Sequence, residues 1–462
     1  MRKWPSTTVL ALLVVFGVAV PAAADEPGRT GPDNAITDVP GVLVGHHTDR
    51  HNITGTTALV IPKGATAGAD ARGGAPGTIN TDLLDPVALQ PDVHGLFLSG
   101  GSVMGLSAYA GVVQFLREQG LGIKFGGKAV PVVPGAIVFD LGQGADADDP
   151  IEQTPGFDAG YQAAKAARSG PVETGSVGAG TGTGTGGPPG LRLKGGVGTA
   201  SIQLGGGVVV GALVVVNSAG KLYNEADGCE LHTLYMELGN EYGNTRRPPR
   251  GCQTSTHGNP APRAGQTDRT VDENTTIGVV ATNATLTVAQ AEKLAQVAHD
   301  GLARAIRPAH TMGDGDTTFA LGTRTTGAPD DRGYEAILDA AASTFSRASV
   351  HAVLDATPLG GRQPYCQVFR GACDTHRPAV DPAPAGADPA PADIAPADPA
   401  PAVANPAPAV ADPGTGSGGP GTGSASSAGQ ALVPALPFIL AAAGFWALSR
   451  RRATASTRHR LR

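Results

Sequence analysis

In the middle of the chain, a polar segment stops at two threonines and an apolar run begins: Asp272-Glu273-Asn274-Thr275-Thr276-Ile277-Gly278-Val279-Val280-Ala281-Thr282-Asn283. An apolar run of this length between polar residues predicts a strand over Ile277–Thr282. The threonines then stand where the chain enters that strand. Most threonines at such a boundary only start a strand, so this pattern alone indicates no chemistry.

The sequence around this segment alternates strand-like runs with helical patterns. The other predicted strands are Thr57–Ile61, Gly95–Leu98, Ile137–Phe139, Ala200–Leu204 and Val208–Val216, the last being almost wholly apolar, as in a strand covered on both faces. The predicted helices are Val103–Glu118, Val288–Ile306 and Tyr334–Leu354, the second introduced by a capping box of Thr287 and Gln290. This mixture over residues 33–357 predicts a layered α/β or α+β domain of enzyme size.

The composition narrows the classes of protein to consider. The 462 residues carry 34 Lys and Arg against 40 Asp and Glu, a net charge of −6, which gives no reason to expect a nucleic-acid partner. Hydrophobic residues make up 41%, enough for a core, although 67 glycines and 38 prolines approach the level typical of disordered chains. Many of these glycines and prolines are concentrated in one part of the chain, so we expect a folded domain and a separate extended segment.

Both ends of the chain resemble targeting segments. Residues 1–24 are typical of a signal peptide, and an uncleaved anchor is the alternative. Residues 377–430 repeat Ala, Pro and Asp, which predicts an extended linker. Residues 431–449 are apolar and long enough for a transmembrane helix, and the basic residues 450–462 predict a cytoplasmic tail. We expect an extracytoplasmic protein anchored to the cell membrane by this C-terminal helix; the alternative is a secreted protein whose tail is removed.

An extracytoplasmic location is oxidising, so the four cysteines are expected to form disulfide bonds. Four cysteines allow three pairings. Proximity along the chain favours Cys229–Cys252 and Cys366–Cys373. A metal site is disfavoured, because the sequence has no Cys-x-x-Cys pair.

Two glycine-rich motifs resemble functional signatures but lack the required context. Gly182–Gly187 fits G-x-G-x-x-G, yet Pro188 and Pro189 follow it in place of a helix, which argues against a dinucleotide site. Gly100–Gly105 resembles a nucleophile elbow, but Met104 stands where a glycine is required. That segment therefore predicts a turn that opens a helix.

A series of motifs along the chain carries a family resemblance. They are Ile36-Thr37-Asp38-Val39-Pro40-Gly41-Val42, Gly73-Gly74-Ala75-Pro76-Gly77-Thr78, Ser99-Gly100-Gly101-Ser102, Lys194-Gly195-Gly196-Val197-Gly198-Thr199, Val208–Asn217, Asn274-Thr275-Thr276-Ile277-Gly278-Val279 and Asp314-Gly315-Asp316-Thr317. In this order they resemble the L-aminopeptidase/D-esterase family of self-processing hydrolases, which includes β-peptidyl aminopeptidases and nylon-oligomer hydrolases. For residues 25–376 the resemblance implies an α+β fold, a four-layer αββα sandwich similar to N-terminal-nucleophile hydrolases. It also implies that the chain cuts itself between Asn274 and Thr275.

The implied chemistry explains why a threonine would stand at this boundary. Its hydroxyl attacks the Asn274–Thr275 peptide, and hydrolysis of the resulting ester frees an α-amine on the same residue. An α-amine has a pKa of about 7.7–8 and accepts the hydroxyl proton near neutral pH, which an amide nitrogen does not do. Thr275 would therefore supply both the nucleophile and the base.

The resemblance also assigns four partners to Thr275. Asp314 and Asp316 match the family's acidic pair, which would hold the hydroxyl and ammonium groups of the threonine and tune its pKa. Lys194, before a Gly-Gly turn, would stabilise developing negative charge. Asn217, at the end of an apolar strand, would act as an oxyanion donor.

Two further features concern the surroundings of the site. Family members also use a tyrosine, for which Tyr109 and Tyr161 are both candidates. Residues 222–253 depart from the family pattern and form an insertion before the cleavage site. We expect this insertion to be a disulfide-closed surface loop that covers or shapes the mouth of the active site.

These expectations describe an autoprocessed serine/threonine-type peptidase, aminopeptidase-like, that needs no metal or organic cofactor. The expected substrates are short peptides or aminoacyl amides and esters, and linear nylon-type amide oligomers are the alternative. An ornithine-type acetyltransferase and a non-catalytic surface scaffold are the alternatives from other classes. The resemblance also implies that several α/β heterodimers assemble.

Overall fold

The structure, a computed structural model, describes residues 28–89, 92–144, 151–255 and 274–373. Its strands are β1 (Leu43–Asp49), β2 (Thr54–Ala71), β3 (Thr78–Ile79), β4 (Val93–Ser99), β5 (Ile123–Phe125), β6 (Lys128–Val130), β7 (Gly135–Ile137), β8 (Gly184–Thr185), β9 (Leu193–Lys194), β10 (Gly196–Gly205), β11 (Val208–Asn217), β12 (Tyr223–Asn224), β13 (Glu230–Leu231), β14 (Thr275–Thr282) and β15 (Thr317–Gly322). Its helices are α1 (Ala108–Glu118), α2 (Phe157–Lys165), α3 (Val288–Ala305), α4 (Asp331–Leu354) and α5 (Tyr365–Val368). Strands and helices are mixed along the chain, as the sequence predicts.

Nine of the described strands form one mixed sheet, in the order β10-β11-β14-β15-β2-β4-β7-β3 with β1 paired to β2. Strand β14 is antiparallel to β11 and parallel to β15. Parallel strands begin at the same edge of a sheet, so the residues just before β15 lie beside the first residue of β14. This pairing brings the segment 314–316 to Thr275.

The long strand β2 joins two halves of the sheet, one that contains β1 and β4 and one that contains β14 and β15. Its residues 54–60 pair with β1, and its residues 66–71 pair with β15. Between them the register against β4 shifts from Val60 to Ala65. Pro62 lacks an N–H to donate, and Gly64 has a φ of 72°, which favours glycine. These two residues explain why the strand bends here and passes from one half of the sheet to the other.

Three apolar cores hold the elements together. One packs α3 and α4 against β10, β11, β14 and β15. A second is formed by side chains of these same strands together with β1, β2, β4 and β7. A third packs α1 and α2 against β2 and β4. Along β14, Ile277 and Val279 enter the second core while Val280 enters the first, because successive side chains of a strand point to opposite faces.

Most of the predicted elements are confirmed, with shifted ends. The capping box of Thr287 and Gln290 begins α3, and the apolar run from Val208 is almost entirely buried as β11. The segment from Ser102 forms a 3-10 turn that leads into α1, as expected for a turn that opens a helix. The predicted strand Ile137–Phe139 is displaced, since β7 is Gly135–Ile137. Strands β1 and β15 and helix α2 are not predicted from the sequence.

Both predicted disulfides, Cys229–Cys252 and Cys366–Cys373, are present. The expectation that residues 222–253 are only a surface loop is wrong, because Tyr223 and Tyr242 of this insertion are buried in the first core. Helix α5 packs on the insertion. The ring of Tyr223 lies edge-on to the ring of Phe369, with the two ring centroids 5.1 Å apart. The folded body also extends past residue 357, to at least residue 373.

The predicted signal peptide (1–24), linker (377–430), transmembrane helix (431–449) and tail (450–462) lie outside the described residues. Among the helices that are described, none is both long enough and apolar enough to cross a bilayer.

Candidate active site

Thr275 is the first residue of β14 and is 5% exposed. It pairs with Asn217 at the end of β11. The residue before it, Asn274, forms a parallel bridge with Asp314, in which Asn274 N–H donates to the carbonyl of Gly313 at 3.0 Å. The chain is continuous through Asn274–Thr275, so the geometry is that of the uncut form.

Two donors converge on the carbonyl of the peptide that is predicted to be cut. The hydroxyl of Thr275 donates to the carbonyl oxygen of Asn274 at 2.5 Å, and the N–H of Gly315 donates to the same oxygen at 2.9 Å. The Thr275 hydroxyl therefore lies against its own preceding peptide, and a backbone N–H polarises that carbonyl.

The sequence did not predict a role for Gly315. A Cβ built on this residue would lie 2.8 Å from Thr275 Oγ1 and 2.7 Å from the carbonyl oxygen of Ala75. Glycine between the two acids is thus needed for the close approach of this backbone to the Thr275 hydroxyl. Its place in Asp314-Gly315-Asp316 was the signal that could have identified it.

Asp316 is buried, and both of its carboxylate oxygens are hydrogen-bonded. Oδ1 accepts the N–H of Thr276 at 2.7 Å. Oδ2 accepts the N–H of His310 at 2.9 Å and faces Nδ1 of the same histidine at 2.8 Å. Asp316 therefore ties the start of β14, directly after Thr275, to the segment before β15.

Asp314 is equally buried, but only one of its two carboxylate oxygens is hydrogen-bonded among the described residues. Its Oδ2 accepts the N–H of Thr311 at 2.8 Å and the hydroxyl of Thr311 at 2.7 Å. Its Oδ1 is buried and has no hydrogen-bond partner among the described residues. In the uncut chain, neither Asp314 nor Asp316 accepts the hydroxyl of Thr275, which is bonded to Asn274 instead.

Asn217 ends β11, as the sequence predicts, and lies beside Thr275 in the sheet, but its side chain is occupied. Its Nδ2 donates to the carbonyl of Phe139 at 2.9 Å, and its Oδ1 accepts the N–H of Gly184 at 2.9 Å. To act as an oxyanion donor, Nδ2 of Asn217 would have to give up its hydrogen bond to the carbonyl of Phe139. That role stays a prediction.

Lys194 is fully buried, and its ammonium donates to backbone carbonyls. The acceptors are the carbonyls of Gly180, Thr183 and Gly195, at 2.7, 3.1 and 3.0 Å. Burial, and then the positive charge of Arg362, hold the pKa of Lys194 well below its usual range. The residue organises the glycine-rich loop that carries Gly180 and Thr183, and none of its hydrogen bonds in the described chain reaches Thr275.

Asp140 is a buried acid near this loop that the sequence did not indicate as functional. Its oxygens accept the N–H of Gly101 at 2.6 Å and the hydroxyl of Thr54 at 2.9 Å. Burial raises the pKa of this carboxyl to about 6, although both hydrogen bonds oppose the shift. A single acid after the apolar residues Val138 and Phe139 was its only signal.

The two candidate tyrosines lie elsewhere. Tyr109 and Tyr161 both pack on the core of α1 and α2. Tyr161 donates to Glu118 at 2.6 Å, and the ring of Tyr109 lies 6.4 Å from that of Phe97. In the part of the chain that the structure describes, no hydrogen bond or ring contact joins either tyrosine to Thr275.

Residues 34–366 match the sequence model of peptidase family S58. The chain belongs to peptidase family S58. It is therefore an amide hydrolase, as the sequence predicts.

Two relatives of this S58 peptidase carry the names of an aminopeptidase and of an oligomer hydrolase. An uncharacterised aminopeptidase of Mycobacterium leprae is 40% identical over 371 residues, which cover 74% of this chain and 96% of that protein. A 6-aminohexanoate-oligomer endohydrolase of a Kocuria species is 31% identical over 312 residues, or 67% of this chain and 81% of that protein.

Solved structures show the fold of the S58 peptidase. A β-aminopeptidase of a Burkholderia species superposes with a TM-score of 0.52 at 24% identity, over 74% of this chain and 92% of that one. The L-aminopeptidase D-Ala-esterase/amidase of Ochrobactrum anthropi, described as a variant of the Ntn-hydrolase fold, has a TM-score of 0.51 at 23% identity, over 77% and 93%. The mixed sheet with its helices therefore resembles Ntn hydrolases, which confirms the predicted fold at this level.

Proposed function

We propose that this S58 peptidase is autoprocessed and acts as an aminopeptidase-like hydrolase through a covalent ester on Thr275. The observation that carries the proposal is the position of the Thr275 hydroxyl, 2.5 Å from the carbonyl oxygen of Asn274 and at the start of a strand that lies beside two buried acids. We also infer the four-layer αββα arrangement, which the three apolar cores support.

In the proposed self-cleavage, Thr275 Oγ1 attacks the carbonyl carbon of Asn274 and the amide nitrogen of Thr275 departs. The hydroxyl proton passes to that nitrogen, so the acyl group moves from nitrogen to oxygen. The N–H of Gly315 stabilises the negative charge that develops on the Asn274 oxygen. Water then hydrolyses the ester, which leaves a carboxyl group on Asn274 and a free amine and hydroxyl on Thr275.

In the proposed turnover, the new α-amine accepts the hydroxyl proton of Thr275 while the oxygen attacks the substrate carbonyl. The ammonium returns this proton to the leaving amine, and water hydrolyses the acyl ester. Oδ1 of Asp314 supports this role, because it is a buried acceptor without a partner among the described residues and lies on the segment bridged to the cut site. A hydrogen bond from the ammonium to this oxygen would compensate both buried charges.

The proposed substrates are short peptides with a free amino terminus, or aminoacyl amides and esters. The 40% identity to a protein named an aminopeptidase supports this choice. Linear amide oligomers are the second candidate, and the 31% identity to a 6-aminohexanoate-oligomer endohydrolase favours them. Membership in a peptidase family supports neither the acetyltransferase nor the scaffold alternative.

We further propose an extracytoplasmic location with the C-terminal helix as membrane anchor, and an assembly of several α/β heterodimers. Two disulfides support an oxidising compartment. The mechanism needs no metal or organic cofactor, because Thr275 supplies the nucleophile and the base.

The test compares Thr275→Ala with Thr276→Ala in the full chain. Thr276 is the matched control, because its hydroxyl is buried without a hydrogen-bond partner among the described residues. We expect wild type and Thr276→Ala to yield a second fragment that begins at Thr275 by N-terminal sequencing, and to hydrolyse aminoacyl p-nitroanilides or 6-aminohexanoate oligomers. Thr275→Ala should stay uncut and inactive; activity in that variant would remove Thr275 as the nucleophile.

A further inference from the structure

His310 is bound to Asp316 at two points. Its backbone N–H donates to Asp316 Oδ2 at 2.9 Å, and its ring Nδ1 lies 2.8 Å from the same oxygen. The residue has a φ of 58°, in the left-handed region, which histidine adopts more often than most residues other than glycine. Its two hydrogen bonds to Asp316 hold the residue in this conformation.

The ring of His310 packs against the ring of a second histidine. His299 of α3 is fully buried, and the two rings meet edge to face with centroids 4.7 Å apart. His299 Nε2 lies 3.0 Å from the carbonyl oxygen of Asp70, which fixes that ring. Burial lowers the pKa of His299 to about 4, with the nearby His310 and Arg72 acting in the same direction and Asp70 against it. His299 is therefore neutral at physiological pH and adds no positive charge beside His310.

The other oxygen of Asp316 completes the connection to the strand. Oδ1 accepts the N–H of Thr276, the residue directly after the proposed nucleophile, at 2.7 Å. If the His310 ring were absent, the backbone N–H of residue 310 would be the one remaining donor to Oδ2 in the described structure. The carboxylate would then be held by two backbone N–H groups alone, those of Thr276 and residue 310, and its orientation would be fixed less tightly.

We propose that His310 is a positioning residue, which orients Asp316 through a hydrogen bond from Nδ1 and thereby holds the start of β14 and Thr275 in the geometry of attack. This inference rests on the proposed function of Thr275. It assigns different tasks to the two acids: Asp316 orients the strand, and Asp314 keeps an oxygen for the threonine. The bond from His310 must come from a protonated Nδ1, because the carboxylate only accepts.

The test compares substitutions that separate the donor from the backbone conformation. His310→Asn keeps a donor at the position of Nδ1 and tolerates a positive φ, whereas His310→Gly tolerates the same φ but lacks the donor. His310→Gln moves the donor to the position of Nε2. For each full-length variant we would measure the rate of self-cleavage, kcat and KM of the cut enzyme, and the thermal midpoint.

We expect His310→Asn to stay within about threefold of wild type in both rates. His310→Gly and His310→Gln should lose about 10- to 100-fold in self-cleavage and in kcat, with little change in KM, as expected for loss of one charge-assisted hydrogen bond. If His310→Gly fails to fold, the contrast between the asparagine and glutamine variants carries the test.

Two results would overturn the inference: wild-type rates in both His310→Gly and His310→Gln, or equal impairment of all three variants. Thr275→Ala separates these results from a failure of the proposed function. If Thr275→Ala is inactive while the donor-free variants behave as wild type, the role of His310 alone is wrong. If Thr275→Ala is active, the proposed nucleophile is wrong.

Discussion

Replacing Gly315 by alanine tests the close approach on which the proposed self-cleavage depends. The added Cβ would lie 2.8 Å from Thr275 Oγ1, 3.3 Å from Thr275 Cγ2 and 2.7 Å from the carbonyl oxygen of Ala75, whereas ordinary contacts begin near 3.4 Å. Gly315 has no left-handed φ, so alanine adds no backbone strain of that kind. The effect of this substitution is therefore steric, and it acts on the Thr275 side chain and on the backbone at Ala75.

The size of the effect follows from these distances. To restore an ordinary contact, Thr275 Oγ1 or the backbone of Gly315 must move by about 0.6 Å, and a misplacement of about 1 Å in an active site can cost about 100-fold in rate. The same movement lengthens the hydrogen bond from Gly315 N–H to the Asn274 carbonyl. We expect self-cleavage of Gly315→Ala to be about 10- to 100-fold slower than that of wild type.

The assay is a time course of precursor and fragments on denaturing gels, after the uncut chain has been purified. Gly327→Ala is the matched control, because a Cβ at Gly327 meets nothing within 4 Å. We expect this control to cleave as wild type does. Cleavage of Gly315→Ala at the wild-type rate, with a normal thermal midpoint, would refute the convergence of Gly315 and Thr275 on the Asn274 carbonyl.

Three other predictions use different parts of the molecule. Both disulfides join cysteines on the same side of the cut, so the two fragments should separate on a denaturing gel without reductant; a single band that needs reductant to separate would contradict this. Glu241→Gln, measured by urea unfolding in the uncut Thr275→Ala background, should lose about 3–5 kcal/mol because it leaves the buried Arg347 without its carboxylate partner. Glu230→Gln, which breaks a more exposed ion pair, should lose less than about 1 kcal/mol, and equal losses would disprove the argument. Burial lowers the pKa of His46 to about 4, so the unfolded chain binds a proton first as pH falls from about 6.5 to 4, and the stability that the neutral ring contributes is lost in that window. His46→Asn should flatten the pH dependence of the unfolding free energy by up to about 1.4 kcal/mol per pH unit there, and an unchanged slope would count against it.

The elements that the sequence predicted well carry their own local signals. Helix α3 has a capping box at Thr287 and a regular apolar face, and β11 is a long apolar run. Strand β2 was predicted over five residues but is eighteen residues long. Its extension contains Pro62 and Gly64, which local propensity assigns to turns. Only pairing with β15 makes that extension a strand.

In the candidate active site, too, the sequence predicted part of the arrangement and tertiary structure determined the rest. The family motifs predicted that Thr275 stands at the start of a strand and that Asp314 and Asp316 are its partners. The structure brings all three to one edge of the sheet. The motifs did not show that Asp316 is occupied by His310 and Thr276. They also did not show that Asn217 is bonded to Phe139.

Membership of peptidase family S58, the proposed position of the nucleophile and most of the regular elements follow from neighbours along the chain. The reason is that periodicity, caps and family motifs are local patterns. The convergence of Thr275 and Gly315 on one carbonyl, the orientation of Asp316 by His310 and the burial of Lys194 follow from tertiary structure. Each depends on hydrogen bonds or packing between segments that are distant in sequence, and the parallel pairing of β14 with β15 determines which donors and acceptors meet at the start of β14.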